Sequence, residues 1–245
     1  MEKNDFIFGI RAVIEAINAG KEIDRILCKR DLQGDIAKEL FTALRGTDIH
    51  VQRVPMERLN RITMKNHQGV IAFISPIAYE KLEHIVPFLY EEGKNPFIVV
   101  LDGLTDVRNF GAIARTCECA GVDAIVIPQK NSVSVNADAI KTSAGALMRI
   151  PVCRESSVKA ALTYLQQSGV KLVAASEKAT INYTEADFTA PTAIVMGSED
   201  MGVSSECLRM CDEMVSIPQF GQIGSLNVSV AAGVMVYEVI RQRGL

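Results

Sequence analysis

Hydrophobic and polar positions alternate between helix-like and strand-like patterns from the start of the chain. In residues 9–19, apolar side chains recur at helical spacing and Gly20 follows, which predicts an amphipathic helix with a typical C-terminal stop. The runs IDRILCK, DIHVQRV and GVIAFIS (residues 69–75) predict strands. Helical stretches are expected around residues 35–45 and after Pro55. This alternation is typical of a small α/β unit.

A break in the pattern follows this unit. Residues 76–95 contain Pro76 and Pro87 and end in a charged Gly-Lys-Asn segment before Pro96. Such composition is typical of a linker between domains. We therefore predict a first domain in residues 1–75 and a second domain in residues 96–245.

The second domain repeats short apolar runs and helical patterns. The runs FIVVLDG, AIVIP, VKLVAAS, AIVMG and MVSIP predict buried strands. Helices are expected near residues 109–120, 156–168, 203–211 and 227–242. Strands that alternate with helices in this way predict an α/β fold, with a mostly parallel sheet covered on both faces.

Composition describes a globular protein and gives no strong signal for nucleic acid. Hydrophobic residues make up 48% of the 245 positions, enough for a substantial core, and the formal net charge is −3. A local basic excess occurs in residues 45–67, where five arginines and lysines face only Asp48 and Glu57. Such an excess is typical of a solvated face and is also compatible with a contact surface for nucleic acid.

The cysteines favour a reducing, cytoplasmic location. None of the six forms a CxxC pair, and residues 1–15 are interrupted by charges where a signal peptide would be apolar. Cys207 and Cys211 have helical spacing but no nearby histidine, so we interpret them as packing residues and expect no metal site. No apolar run reaches the length of a membrane span.

Three polar loops follow predicted strands of the second domain, where ligands bind in parallel α/β sheets. The first loop follows LDG and leads into a helix that contains Asn109, Gly111 and Arg115. Asn109 could cap this helix, and Arg115 could be a surface charge. Because the neighbours of Arg115 are mostly apolar, however, we expect its guanidinium to need a partner.

The second and third loops have similar alternatives. The second reads Gly-Ser-Glu-Asp-Met-Gly, in which Gly197 and Gly202 permit tight turns or a close approach to a ligand. Glu199 could simply stabilise the start of the next helix. The third loop places Ser225 and Asn227 where the last helix begins, as caps or as parts of an active site.

Several common catalytic motifs are absent from the sequence. It has no GxxxxGK[ST] or GxGxxG phosphate-binding loop and no HExxH or GxSxG motif. His67, in NHQGV, is the one histidine in a suggestive setting, and a turn residue before a strand explains it equally well.

The three loops, taken in order, resemble the signature motifs of the SpoU group of SPOUT RNA methyltransferases. The first domain is similar to the substrate-binding domain of the same group, which resembles small ribosomal RNA-binding proteins. The match extends over nearly the whole chain and is closest to enzymes that methylate a guanosine ribose of bacterial large-subunit ribosomal RNA. The motif residues are Asp102, Asp106, Asn109, Gly111 and Arg115, then Gly197, Glu199 and Gly202, then Ile217, Pro218, Gly221, Ser225, Leu226 and Asn227.

This resemblance implies a trefoil-knotted second domain and a homodimer with its active site at the subunit interface, although topology rules alone argue against knots. It implies S-adenosylmethionine as methyl donor, ribosomal RNA as substrate and no metal. The donor is expected on Ala175, Ser176, Met196, Gly197, Glu199, Ile217, Gln219, Ser225 and Leu226. The chain departs from the group at Val107, often proline, and at Gln219, often methionine, which argues against a direct side-chain role for Gln219.

The catalytic residues implied by the resemblance are Arg115, Asn109, Glu199, Ser225 and Asn227. A ribose 2′-hydroxyl attacks the sulfonium methyl in line and must lose its proton. Arginine is normally protonated, so we interpret Arg115 as a group that binds phosphate and stabilises the developing alkoxide, with a role as base as the alternative.

Three other functions are compatible with parts of the sequence. The enzyme could methylate transfer RNA or another ribosomal position. The chain could be a non-catalytic RNA-binding or ribosome-assembly protein, although such a binder would not require Asn109, Arg115, Glu199 and Asn227 together. A nicotinamide-dependent enzyme is disfavoured because the glycine fingerprint is missing.

Overall fold

The computed structural model describes residues 6–244 and divides into two compact units. The first unit comprises the residues up to Ala78 together with Val135–Ala137, and the second comprises Tyr79–Ser134 and the residues from Asp138 onward. Residues 1–5 and 245, which the predicted domains include, lie outside the described residues.

The first unit is a four-stranded sheet with helices on both faces. Its elements are β1 Phe6–Phe8, α1 Ile10–Asn18, β2 Ile23–Lys29, α2 Asp35–Ala43, β3 His50–Val54, α3 Met56–Asn60 and β4 Val70–Ile74. The strand order is β1-β4-β2-β3, and only β2 and β3 run parallel. The helices and strands predicted from periodicity are therefore present, and β1 is an addition.

Two cores stabilise this sheet. Apolar residues of α1 and α2, such as Val13 and Leu40, pack with Ile26 and Ala72 on one face. A smaller core on the other face joins Leu59 of α3 to strand residues that include Leu27 and Ile71. Each strand thus sends alternate side chains to the two faces, as a pleated strand must.

The second unit is built on a parallel sheet, as predicted. The elements are α4 Leu82–Glu91, β5 Phe97–Asp102, α5 Val107–Cys119, β6 Ala124–Pro128, α6 Ala137–Thr142, the 3₁₀ turn Ala146–Met148, β7 Val152–Glu155, α7 Val158–Gln167, β8 Lys171–Ala175, β9 Ile181–Asn182, β10 Thr192–Gly197, α8 Ser205–Met210, β11 Glu213–Ser216 and α9 Val228–Arg243. The strand order is β7-β6-β5-β10-β8-β11-β9, and every neighbouring pair is parallel. Five of these seven strands were predicted, and β7 and β9 are additions.

Helices cover both faces of this sheet. Residues of α4, α7 and α8 share one core with Ile98 and Val100 of β5. Helices α5 and α9 contact each other, and α9 contacts β10. Because Val99 and Leu101 alternate with the first pair and are also buried, they face the opposite layer. The helices leave the carboxyl ends of β8, β10 and β11 uncovered, and the loops that follow these strands line a cleft there.

The segment predicted as a linker contains a helix. Residues Leu82 and Val86 of α4 belong to the core of the second unit, and Leu82 N–H donates to Glu155 at 3.0 Å. Pro87 lies inside this helix. Prolines normally interrupt helices, which is why the sequence favoured a linker here. The exact domain boundaries stay a prediction.

Candidate active site

A cleft of about 500 Å³ opens where β8, β10 and β11 end. Clefts that bind small molecules commonly have this size, and this edge of a parallel sheet is where they form. The residues predicted to hold the methyl donor all line it: Ala175, Ser176, Met196, Gly197, Glu199, Ile217, Gln219, Ser225 and Leu226. The structure therefore brings these residues together, while their contact with a donor stays a prediction.

The floor of the cleft depends on a glycine. A Cβ added to Gly197, the last residue of β10, would lie 1.9 Å from the carbonyl carbon of Gly202 and 2.0 Å from the nitrogen of Val203. No side chain fits at that distance, so only glycine permits the backbone to fold back so closely. A bridge between Ser198 and Gly202 closes the same turn. The sequence predicted either a tight turn or a close approach to a ligand at Gly197, and the tight turn is present.

Asn227 connects the three motif loops. Its Nδ2 donates to Oε1 of Glu199 at 2.6 Å and to Oδ1 of Asn109 at 3.1 Å. Its Oδ1 accepts from the backbone N–H and the hydroxyl of Ser229, at 2.9 and 2.6 Å, and so caps α9. The interpretation of Asn227 as a helix cap is therefore confirmed, and the same side chain joins the three motif loops, while its role in an active site stays a prediction.

Asn109 is not the cap of α5, contrary to one expectation. Asp106 occupies the N-cap position, and its Oδ1 accepts from the N–H of Asn109 at 2.8 Å. A carboxylate at this position satisfies a free N–H and favours the positive helix end, which leaves the amide of Asn109 available for Asn227. Asp102 also has a structural role, because its Oδ2 accepts from Ser204 N–H at 2.8 Å.

Arg115 is not brought into the cleft. It lies on α5 between one and two turns beyond Asn109, and its side chain is exposed. No described residue forms a hydrogen bond or ion pair with its guanidinium, so the partner that its apolar neighbours led us to expect is not among residues 6–244. Five other residues of α5 are buried, as the apolar neighbours of Arg115 predicted: Phe110, Gly111, Ile113, Ala114 and Cys117.

Sequence reasoning missed part of the cleft wall. Glu177 and Lys178 line it directly after the predicted Ser176, and Val228 and Ala231 line it from the first turn of α9. Position was the available signal: residues just past a strand end, or one turn into the following helix, share the edge of the sheet with the motif residues.

The acidic side chains of the cleft outnumber the basic ones. Glu177, Glu199 and Asp200 line it with Lys178 as the only cation among the lining residues. Ionised carboxylates accept hydrogen bonds and favour positive charge nearby. The remaining wall is apolar, with Met196, Leu226 and neighbouring aliphatic residues. The cleft thus suits a ligand that combines a cationic centre with a flat or apolar part.

The buried thiols are packing residues. Burial raises the pKa of the Cys117 thiol to about 12 and that of the Cys207 thiol to about 11. Burial likewise raises the pKa of Cys211 to about 12. All three are therefore protonated at neutral pH, and Cys207 and Cys211 pack in the core beside α7. The six cysteines, all of which the structure describes, are free.

His67 has a local structural role. It is buried, its Nδ1 accepts from the N–H of Gly69 at 3.0 Å, and its Nε2 lies 2.9 Å from Oδ1 of Asn60. An accepting Nδ1 places the proton of the neutral ring on Nε2, which then donates to Asn60. The interpretation of His67 as a turn residue before a strand is confirmed.

The described part of the chain contains neither a metal-binding cluster nor a membrane-spanning helix. Residues 6–244 contain no group of three or more histidine, cysteine or acidic residues arranged to hold a metal ion. Over the same range, no helix is both long enough and apolar enough to cross a membrane.

Comparison with known proteins identifies the family. Residues 96–237 match the SpoU rRNA Methylase family, which is more than half of the chain. The chain belongs to this SpoU family. Residues 6–80 match the family described as RNA 2'-O ribose methyltransferase substrate binding. The resemblance stated from the three motifs and the first domain is therefore confirmed.

Individual relatives extend over nearly the whole SpoU chain. A protein assigned to the TrmH family of tRNA/rRNA methyltransferases in Staphylococcus saprophyticus is 35% identical over 97% of this chain and 95% of its own. The 23S rRNA (guanosine-2'-O-)-methyltransferase RlmB of Photobacterium profundum is 35% identical over 98% of both chains. The SpoU methyltransferase AviRb of Streptomyces viridochromogenes, solved with AdoMet, is 24% identical with a TM-score of 0.62 over 97% and 90% of the two chains, and shares the fold.

Proposed function

We propose that this SpoU protein transfers a methyl group from S-adenosylmethionine to a ribose 2′-hydroxyl of RNA, and that its substrate is a guanosine of large-subunit ribosomal RNA. The observation that carries the proposal is the junction at Asn227, which joins Asn109 and Glu199 at the edge of the cleft. Family membership supplies the reaction type.

The cleft fits S-adenosylmethionine as the methyl donor. The donor supplies a methyl group activated by a positively charged sulfur. Glu177, Glu199 and Asp200 provide the negative charge that such a cation favours. Apolar walls at Leu226 and Met196 suit a purine ring, and backbone groups around Gly197 stay accessible because no side chain can occupy that turn.

The motif residues hold the geometry of the transfer. In-line attack needs the hydroxyl oxygen fixed relative to the methyl carbon, and a rigid network contributes this orientation. Asn227 fixes the loop after β10 through Glu199 and the start of α5 through Asn109. Ser225 lines the cleft from the third loop, where it can orient the ribose or the donor.

Arg115 binds the RNA in this proposal. A guanidinium stays protonated at neutral pH, so it binds a phosphate bidentately and stabilises the alkoxide that forms as the hydroxyl releases its proton to solvent water. Its side chain is exposed and has no partner among the described residues, so it is available to bind a substrate.

A homodimer completes the site in this proposal. Arg115 lies outside the cleft lining of its own chain, so a second copy is the natural partner for it. Helix α9 supports such an interface because it exposes Val230 and Tyr237, at 52% each, although apolar side chains of this size are usually buried. The trefoil knot is part of the same proposal and is supported by the resemblance of the three motifs.

The first unit supplies RNA recognition. Its match to a substrate-binding family supports this role. The P. profundum relative, which is named for guanosine methylation in 23S rRNA, supports the choice of substrate. The S. saprophyticus relative, assigned to tRNA and rRNA methylation, makes transfer RNA the alternative. The cysteines without disulfides agree with a reducing, cytoplasmic location.

One experiment tests the proposed function. The protein is incubated with labelled S-adenosylmethionine and with unmodified ribosomal or transfer RNA, and 2′-O-methyl nucleotides are then mapped. A single modified guanosine in 23S rRNA is the expected result. A modified nucleotide in transfer RNA would make transfer RNA the substrate in place of 23S rRNA. Binding of RNA without transfer of label would contradict catalysis.

The role of Arg115 is tested by Arg115→Lys. Lysine keeps the charge but loses the planar bidentate geometry, so methyl transfer should fall by about a hundredfold, or roughly 2.7 kcal/mol. Affinity for S-adenosylmethionine, measured by calorimetry, should stay within about twofold because the proposal places Arg115 on the RNA and not on the donor. Arg209→Lys, at another exposed helical arginine of the same unit, is the matched control. Full activity of Arg115→Lys would refute the assigned role.

A further inference from the structure

Four side chains form a continuous row across the sheet of the first unit. The register pairs Phe6 with Phe73, Phe73 with Arg25, and Arg25 with His50. Directly paired residues project from the same face, so the row crosses all four strands on one side. Phe8 lies two residues after Phe6 and therefore shares this face.

The rings and cations of this row are in contact. The rings of Phe6 and Phe73 have centroids 6.0 Å apart, and those of Phe6 and Phe8 are 6.2 Å apart. The guanidinium carbon of Arg25 lies 4.7 Å from the centroid of Phe73, and Nζ of Lys65 lies 5.9 Å from that of Phe8. We call Phe6, Phe8, Phe73, Arg25 and Lys65 the aromatic platform.

The platform is only partly covered. Its rings lean on the core of Leu27, Leu59 and Ile71, and all three phenylalanines are half-buried. The opposite face of the sheet, by contrast, is covered by α1 and α2. Three half-buried aromatic rings therefore lie side by side on the face of the sheet that packs against the short helix α3.

The cations of the platform have no anionic partner among the described residues. The side chain of Arg25 forms no ion pair or hydrogen bond with residues 6–244, and its Nε is buried without an acceptor. Lys65 is exposed and forms no ion pair with residues 6–244. A cation that is held against a ring and has no carboxylate partner can bind a phosphate.

From this arrangement we propose that the aromatic platform binds unpaired bases of the RNA substrate by stacking, with Arg25 and Lys65 on the adjacent phosphates. Aromatic side chains on an open sheet face are a general means of holding unstacked bases, and nearby cations follow the backbone. The inference rests on the proposed function, because it assigns the substrate contact of the same enzyme. Duplex RNA does not expose its base faces and is not the ligand.

The platform differs from the candidate contact surface in residues 45–67, where basic residues are in excess. Only Lys65 belongs to both. Arg53, central to that excess, stacks on Phe41 of α2 at 5.1 Å. Arg53 pairs in register with Cys28, which belongs to the core beneath α1 and α2, so this second ring–cation pair lies on the other face of the sheet. The two faces therefore offer rival surfaces with similar chemistry.

The double variant Phe6→Leu/Phe73→Leu in the full chain tests the platform. Leucine keeps apolar volume but removes the ring face, so affinity for a fluorescent single-stranded RNA of about 12 nucleotides, measured by anisotropy, should fall about tenfold or more. Phe41→Leu, at the rival pair, should bind as the wild type does. Phe6→Tyr/Phe73→Tyr keeps both rings and should also keep the affinity, and circular dichroism verifies the fold of each variant.

Binding by Phe6→Leu/Phe73→Leu that equals the wild type, or an equal loss in Phe41→Leu, would overturn the platform. If the leucine variant does not fold, photo-crosslinking of the wild type to 4-thiouridine RNA decides. Crosslinks within residues 6–8 and 71–73 support the platform, and crosslinks found only elsewhere refute it. Methyl transfer to 23S rRNA is measured in parallel. A wild type that crosslinks through the platform but transfers no methyl group would refute the proposed function and leave the platform standing.

Discussion

A single amide, that of Asn227, has two tasks that normally fall to different residues. Its oxygen caps α9 through Ser229, and its nitrogen joins Glu199 to Asn109. The hydrogen bond to Glu199 is charge-assisted and short, at 2.6 Å. A residue with only an acceptor could cap the helix equally well, so the choice of asparagine depends on the donor.

Asn227→Asp separates the two tasks. The aspartate still caps α9 but replaces the donor with a negative charge opposite Glu199, so methyl transfer should fall at least about tenfold, or 1.4 kcal/mol. The melting temperature should change little because the cap is retained. Transfer of labelled methyl groups and thermal unfolding measure the two effects.

The chain offers a matched control for this change. Asn182 makes the same local turn, with Oδ1 accepting from the N–H and hydroxyl of Thr184 at 3.2 and 3.1 Å, and has no bridging role among the described residues. Asn182→Asp should leave methyl transfer unchanged. Equal losses in both variants would mean that the donor of Asn227 has no special role.

Residue-scale prediction from the sequence had a clear limit. Topology identified the strand-end loops, because it fixes where the carboxyl ends of parallel strands meet, and the family resemblance then selected the cleft residues, Ala175 and Ser176 among them. The sequence suggested Asn109 as the cap of α5, whereas Asp106 is the cap; residue type alone does not separate the two, since both side chains can accept from a helix N–H. The free state of Arg115 also could not be foreseen, because apolar neighbours in sequence can all lie on the opposite side of a helix.

At the scale of elements, two glycines that line the cleft differ in their surroundings: Gly197 ends β10, and Gly224 lies in the loop before α9. Gly197 has backbone atoms 1.9 Å from where its Cβ would be. Gly224 also lines the cleft, but a Cβ there would meet nothing within 4 Å, and its backbone needs no positive φ. A side chain is therefore excluded at Gly197 by the lack of space, whereas nothing in the structure excludes one at Gly224.

Gly197→Ala should displace the turn that closes β10. Moving backbone that pairs Ser198 with Gly202 is expected to cost about 3 kcal/mol or more and to abolish donor binding. Gly224→Ala should keep both stability and donor affinity, or gain slightly by restricting the unfolded chain. Denaturant unfolding and calorimetry with S-adenosylmethionine measure the difference. A Gly197→Ala protein with normal stability would show that the turn relaxes easily.

Elements were predictable where a period could be read. Helices α5, α7 and α9 and the long apolar strands have enough residues for a repeat. Strand β9 has only two residues and β1 only three, too few for any period. Helix α4 was hidden for a different reason: Pro87 and the charged segment after it are typical of a linker, and only packing against the sheet compensates for the proline.

At the scale of the whole molecule, helix α4 decides where an independent second domain can begin. The backbone of Glu80 pairs with Val152 and Arg154, at 2.9 and 3.1 Å, before the helix starts. Leu82, Val86 and Leu89 of α4 are then buried, with exposed fractions of 1%, 1% and 5%. A boundary at residue 96 removes all of these contacts, whereas a boundary at residue 79 keeps them.

The fragment of residues 79–245 should therefore fold and bind S-adenosylmethionine, whereas the fragment of residues 96–245 should be several kcal/mol less stable. Each buried leucine or valine of α4 contributes about 1.5–3 kcal/mol, which exceeds what a domain can easily lose. The fragment 79–245 with Leu82→Ala and Val86→Ala keeps the length but loses the burial, so its stability should fall between the two. Urea unfolding and calorimetry make the comparison. Equal stability of the two fragments would show that α4 is dispensable and that the boundary predicted from composition serves as well.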